Sequence, residues 1–144
     1  MNGSFQINGG KRLQGEITPQ GAKNEALQIL CAVLLTDEEV RVKNIPDIHD
    51  VNRLIEILGD FGVKVTKNRH GDYTFQSDSV KFEYIKSDEF KKDGARLRGS
   101  IMLLGPMLAR FGEAYMPTPG GDKIGRRRLD THFQGLVELG AEFH

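Results

Sequence analysis

The residues of this chain best equipped for chemistry are Lys23, Asn24, Arg98 and those of the stretch Pro119-Gly-Gly-Asp-Lys-Ile-Gly-Arg-Arg-Arg-Leu-Asp-Thr-His132. In that stretch Gly120 and Gly121 permit positive φ and close backbone approach, and Gly125 supplies a second hinge. Arg126, Arg127 and Arg128 present planar forks matched to phosphate or carboxylate, Lys123 adds a further cation, and Asp122 and Asp130 are the two carboxylates. This is the composition of a loop that grips an anion. The same residue types also make an exposed basic turn leading into a helix, and the loop alone does not separate the two readings.

The isolated candidates carry the same ambiguity. Lys23 lies near a helix start, where a cation opposes the helix dipole, so a functional reason for it is favoured. Arg98 has a plain alternative in surface pairing with Asp93 or Glu89, and Asn24 in an ordinary polar helix face. Asp130 serves both as an N-cap and as a ligand contact, because one geometry suits both. His132 reads as helix packing and Arg126 as solvated.

Composition narrows the partners. Twenty basic residues balance 20 acidic ones, so the formal net charge is zero. Nucleic-acid binding needs a basic footprint for phosphate neutralisation and, on single strands, a stacking platform; neither is present, so the basic cluster is a local site for a small anion. With 38% hydrophobic and 28% charged residues in a chain of 144, the pattern is that of an ordinary soluble domain. The lone Cys31 excludes an internal disulfide, and its place in the apolar run Leu27 to Leu35 reads as a small buried hydrophobe rather than a nucleophile. No apolar run approaches the length of a membrane span, and Met1-Asn2-Gly3-Ser4-Phe5 lacks the regions of a signal peptide. A cytoplasmic protein with no membrane partner, no cofactor and no metal is expected.

The elements that must position these residues form a weak repeat with a period of about 75 to 80 residues. The first copy reads helix, strand, helix, strand, strand. Its helix spans Ala22 to Leu35, apolar at Ala26, Leu27, Leu30, Val33 and Leu34; a strand follows at Val40 and Val42. Asp47 or Asp50 caps a helix carrying Val51, Leu54, Ile55 and Leu58, which stops near Gly59 and Gly62. A hairpin runs through Val63-Lys64-Val65-Thr66 and Tyr73-Thr74-Phe75, with Gly71-Asp72 in its turn. The second copy predicts a strand at Val80, Phe82 and Tyr84, a helix from about Ala95 to Ala109, and a strand at Ala114 to Pro117. The glycine-arginine loop comes next, then a helix capped by Asp130 and running to Gly140, and a strand starting at Ala141. On this pattern Lys23 and Arg98 fall near the starts of corresponding helices, and the second copy is cut after its first closing strand, so the chain is expected to be an amino-terminal fragment.

Three segments in order resemble the UDP-N-acetylglucosamine 1-carboxyvinyltransferases, an enolpyruvyl transferase family. They are Gly21-Ala22-Lys23-Asn24-Glu25-Ala26-Leu27, then Leu97-Arg98-Gly99-Ser100-Ile101 with Leu104-Gly105-Pro106 and Leu108-Ala109-Arg110-Phe111-Gly112, and the loop Gly120 to His132. The resemblance implies an α/β (α+β) fold of repeated βαβαββ units, an inside-out α/β barrel with helices inside and sheets outside, its second unit truncated here. It implies that residues 1–20 are a strand segment belonging to the other lobe, while residues 21–144 form part of one lobe, with repeats at about 21–78 and 79–144. Without that lobe the segment from Phe5 to Ile17 lies on the fragment, pairs with another copy, or is disordered.

The resemblance also implies the substrates, phosphoenolpyruvate and UDP-N-acetylglucosamine. Lys23, Arg98 and Arg127 match cations that grip phosphoenolpyruvate, Asn24 matches the holder of the N-acetylglucosamine unit, and Arg127, Arg128, Leu129, Asp130 and Thr131 match the segment cradling the uridine end. Arg128-Leu129 replaces the Pro-Val frequent in the family. Asp122 stands where the family most often has cysteine, so the thioether formed by the epoxide antibiotic fosfomycin is not available, and a proton-transfer or product-release role is implied with Lys23 and Arg127 as further catalytic groups. A 3-phosphoshikimate 1-carboxyvinyltransferase-like enzyme and a non-catalytic anion- or partner-binding repeat domain are the alternatives.

Overall fold

Alternating Val40 and Val42 build the first strand of an antiparallel sheet in the computed structural model, which describes residues 3–118, 120 and 128–144. Strand β1 (Glu39–Lys43) pairs with β3 (Asp72–Gln76), and β3 with β2 (Lys64–Arg69), giving the order β1-β3-β2. The register lines up Val40, Phe75 and Val65 in one row. Because side chains alternate across a strand, that row shares one face, and the fully buried Phe75 carries it into the core. The hairpin is the expected one, except that its turn is His70-Gly71 and Asp72 already belongs to β3. Gly71 has φ +68, and a Cβ there would lie 3.0 Å from the Ile45 carbonyl oxygen, so both conformation and space select glycine.

Two amphipathic helices cover the apolar face. Helix α1 (Lys23–Ala32) continues as a 3-10 turn over Val33–Leu35, and α2 (His49–Asp60) packs beside it. Leu30 and Leu34 from the first, Val51, Leu54 and Leu58 from the second, and Phe61 just beyond them are shielded from water almost completely. Neither Asp47 nor Asp50 caps α2 through its side chain. Ile48 holds the N-cap position, Asp47 accepts from Asn52 Nδ2 at 2.7 Å, and Asp50 sits in the first turn, where its charge still suits the helix dipole.

The second half departs further from its expected pattern. Val80, Phe82 and Tyr84 do not form a strand; Phe82–Lys86 is a 3-10 turn. That turn puts Phe82 and Ile85 on one side, Ile85 enters the core, and Phe82 packs against Phe61 and Phe111 at ring-centroid distances of 6.4 and 4.9 Å. A helix α3 (Asp88–Gly94), absent from the sequence reading, follows it. Its signal was available: Ser87 accepts from the Phe90 amide at 3.1 Å, and Asp88 and Glu89 fill the first turn.

The single helix expected over about 95–109 is instead a 3-10 segment Arg98–Leu103 running into α4 (Leu104–Phe111). The buried Ser100 hydroxyl shares its proton between the carbonyls of Gly94 and Leu97, at 2.8 and 2.6 Å, which holds the tighter winding. Helix α4 stops at Gly112, φ +74, whose amide donates to the Leu108 carbonyl. Ala114 to Pro117 and Ala141 to His144 are not strands. Helix α5 (Asp130–Glu138) stops two residues before Gly140, φ +96, and Leu129 rather than Asp130 holds its N-cap position with no side chain capping it.

At the other end of the chain, residues 3–22 form neither helix nor strand, and Phe5, Ile7, Leu13 and Ile17 are 88–97% exposed. The stretch from Phe5 to Ile17 therefore does not lie on the rest of the chain. Among the described residues no helix is long and apolar enough to cross a membrane.

Candidate functional site

Lys23 is the first residue of α1 because Gly21 lets the preceding backbone press against a neighbouring loop. A Cβ on Gly21 would fall 2.0 Å from the Asn44 carbonyl oxygen. Ala22, which lacks a side-chain acceptor, occupies the N-cap position, so no side chain caps the first turn of α1. Helix α2 begins in the same way behind Ile48. Both uncapped starts border one open cleft of about 960 Å³, lined by Lys23 and Asn24 from α1, His49 and Asp50 from α2, and the segment from Ala95 to Gly99.

The structure thus brings Lys23, Asn24 and Arg98 together across 75 residues of sequence, and adds His49, Asp50 and Arg96, which the sequence reading did not assign to a site. Lys23 Nζ donates to Asp50 Oδ2 at 2.8 Å, with both side chains about two-fifths exposed. This carboxylate compensates the unfavourable placement of an ammonium at a helix N-terminus. Asp50 had a recognisable signal, a carboxylate at a helix start. Its pairing with Lys23 had none, because it spans two elements.

Gly120 also lines the cleft, against the turn that carries the arginines. A Cβ on it would lie 1.8 Å from the Ala95 carbonyl oxygen and 3.6 Å from the Arg96 Cα. Close approach, not positive φ, is the reason for glycine here, and it pins the start of the glycine-arginine loop beside the cations. Asp122 and Arg127, with Lys123 and Arg126, lie outside the described residues. Arg128, Leu129, Asp130 and Thr131 are described but are not part of the cleft lining; Arg128 Nε donates to Asp130 Oδ2 at 2.6 Å beside the start of α5.

Among the described lining residues, Lys23, Arg96 and Arg98 oppose the single carboxylate of Asp50. The cleft therefore favours anions, and its two helix starts add oriented amides to the side-chain charge. A second cavity, about 750 Å³, has the opposite character: Asp60, Glu83, Glu89 and Asp93 line it together with Lys81 and Tyr84. Burial and then the neighbouring Asp60 carboxylate push the Tyr84 hydroxyl up to about 12. The carboxylates of this second cavity disfavour anions there.

Comparison with known proteins places the chain among relatives of one kind. In the curated proteins the chain is 61% identical over 140 residues to the UDP-N-acetylglucosamine 1-carboxyvinyltransferase of Bacteroides thetaiotaomicron, covering 97% of this chain and 32% of the relative. The enzyme of the same name from Porphyromonas gingivalis is 58% identical over 138 residues, with 96% and 32% covered. The chain thus spans about a third of the length of the curated relatives it matches. The crystal structure of the enolpyruvyl transferase NikO from Streptomyces tendae has a likeness with TM-score 0.54 at 24% identity, covering 74% of this chain and 24% of that one, which shows a shared fold. Residues 7–144 match the family described as EPSP synthase (3-phosphoshikimate 1-carboxyvinyltransferase), and on that match the chain belongs to this family of carboxyvinyltransferases.

Proposed function

We propose that this chain supplies one part of a longer cytoplasmic enzyme that transfers the enolpyruvyl group of phosphoenolpyruvate to the 3'-hydroxyl of UDP-N-acetylglucosamine and releases phosphate, the first committed step of peptidoglycan synthesis. The observation that carries this reading is the convergence of Lys23, Asn24 and Arg98 on one cationic cleft against which Gly120 anchors the glycine-arginine loop. In the reaction the methylene carbon of phosphoenolpyruvate takes a proton and the sugar hydroxyl, losing its own proton to a base, attacks the central carbon. The tetrahedral adduct then expels phosphate as the methyl group returns a proton. Phosphoenolpyruvate is multiply anionic, so Lys23, Arg98 and Arg127 hold it and stabilise the departing phosphate. Asn24 holds the N-acetylglucosamine unit, and Arg127, Arg128, Leu129, Asp130 and Thr131 receive the uridine end when the loop meets the cleft.

Asp122 acts on protons or on product release, not as a sulfur nucleophile, so the enzyme resists fosfomycin. In the same reading residues 1–20, with their exposed apolar side chains, pack on the other lobe, and residues 21–144 form part of one lobe with repeats meeting near residue 78. Because the ligands sit between lobes, the 144-residue chain alone is expected to be nearly inactive. The matching family's description names the shikimate reaction, so 3-phosphoshikimate is the competing acceptor.

The test is phosphate release from phosphoenolpyruvate by the whole protein, with each acceptor and with fosfomycin. Release that requires UDP-N-acetylglucosamine and survives the drug is expected. Release only with 3-phosphoshikimate moves the assignment to the sister reaction, and no release from folded protein leaves a binding domain.

A further inference from the structure

We infer that Arg96 is an anion-binding residue of the cleft, forming with Arg98 a two-armed clamp for one phosphate-bearing ligand. Leu97 is extended (φ −115°, ψ 114°) and its side chain is buried in the core at 3% exposure. An extended residue sends its neighbours to the opposite side, so anchoring Leu97 inward presents Arg96 and Arg98 together, and both line the cleft. Arg96 is exposed, and no ion pair holds its guanidinium among the described residues. Lys23, by contrast, is already engaged by Asp50 at 2.8 Å. Arg96 is thus a cation of this cleft that a ligand can take without breaking an internal pair.

The backbone fixes where the clamp stands. The Gly120 contact with the Ala95 carbonyl and the Arg96 Cα allows no side chain between them, so the turn bearing Arg96 is also the seat of the glycine-arginine loop. Two guanidinium forks two residues apart, beside the uncapped starts of α1 and α2, suit a ligand with oxygens on more than one side, and phosphate has that geometry. Both phosphoenolpyruvate and a sugar nucleotide offer such a group. The choice between them, but not the clamp itself, rests on the transferase reading.

The experiment titrates the 144-residue chain with inorganic phosphate, phosphoenolpyruvate and UDP-N-acetylglucosamine in separate arms, following the Nε–Hε signals of Arg96 and Arg98 by NMR. Saturable shifts of both signals are expected with at least one ligand. Arg96→Gln should raise that ligand's Kd by about tenfold, with Arg96→Lys in between, because the fork is lost while charge remains. Unfolding midpoints of both variants should match wild type, since the Arg96 side chain is exposed. Movement of Arg98 without Arg96, an unchanged Kd in Arg96→Gln, or no saturable shift with any of the three ligands overturns the clamp. Binding of phosphoenolpyruvate or phosphate but not the sugar nucleotide keeps the clamp and assigns it to the smaller ligand. Failure of the transferase reading appears separately, as absent phosphate release by the whole protein.

Discussion

Replacing Arg110 by methionine tests whether the two ends of the cleft scaffold are tied together by one side chain. Arg110 Nη1 in α4 donates to the carbonyls of Leu34 at 3.0 Å and Thr36 at 3.1 Å, the last acceptors of the 3-10 turn that closes α1. A helix end leaves such carbonyls without intrahelical donors, and Leu34 is fully buried, so water cannot easily replace the guanidinium. Hydrogen bonds to a charged group contribute about 1.5–3 kcal/mol each, and the low end applies to a partly exposed arginine; with some relaxation, about 2 kcal/mol is expected for the pair. Methionine keeps an apolar stem of similar reach, so the change isolates the bonds from the packing. In a domain of this size that loss corresponds to roughly 4–8 °C in Tm. Urea unfolding followed by circular dichroism measures it, with Arg110→Lys expected between the two because it retains charge but not the fork. A methionine variant within about 0.5 kcal/mol of wild type would refute the reasoning and mean that helix packing alone positions α1.

Two further predictions concern titration. The Arg41 guanidinium, with Asn68 and Arg69, holds the buried Asp72 carboxyl well below the usual carboxylate range, so its native value lies under the unfolded one. Its contribution is complete above about pH 4 and is lost as pH falls through the native value, and Asp72→Asn should unfold more easily at neutral pH while showing a shallower loss on acidification, read from chemical denaturation between pH 2 and 7. Burial pushes the Cys31 thiol up to about 12, and its Sγ donates to the Leu27 carbonyl at 3.1 Å. A disulfide reagent at pH 8 should therefore label it only in denaturant, whereas rapid labelling of native protein would contradict a closed core around α1.

The scaffold and the chemistry meet at a few backbone contacts. Gly21 seats α1 on the Asn44 carbonyl, and Gly120 seats the glycine-arginine loop on the Ala95 carbonyl. A larger residue at Gly21 or Gly120 would force those backbone contacts apart. The cleft lining thus depends on close backbone approach at glycines and on the buried Leu97 between Arg96 and Arg98.

Local periodicity was enough to read α1, β1, α2 and the hairpin from the sequence, because each buries one face at its own characteristic spacing and nearby residues provide the stops. Lys23 stood out as a cation at a helix start, whereas Asn24 and Arg98 had plain surface readings and were singled out only through the family resemblance. The second half was not legible in this way. Alternating Val80, Phe82 and Tyr84 have the spacing of a strand, yet Phe61 and Phe111 draw Phe82 into an aromatic cluster and the segment closes as a 3-10 turn. Ser100 likewise winds the predicted helix tighter through carbonyls that only the folded turn brings within reach. The pairing of Lys23 with Asp50, the shared side of Arg96 and Arg98, and the seat of Gly120 were decided by tertiary structure alone. They arise where separate elements touch, and a one-dimensional pattern carries no distance between residues that are far apart along the chain.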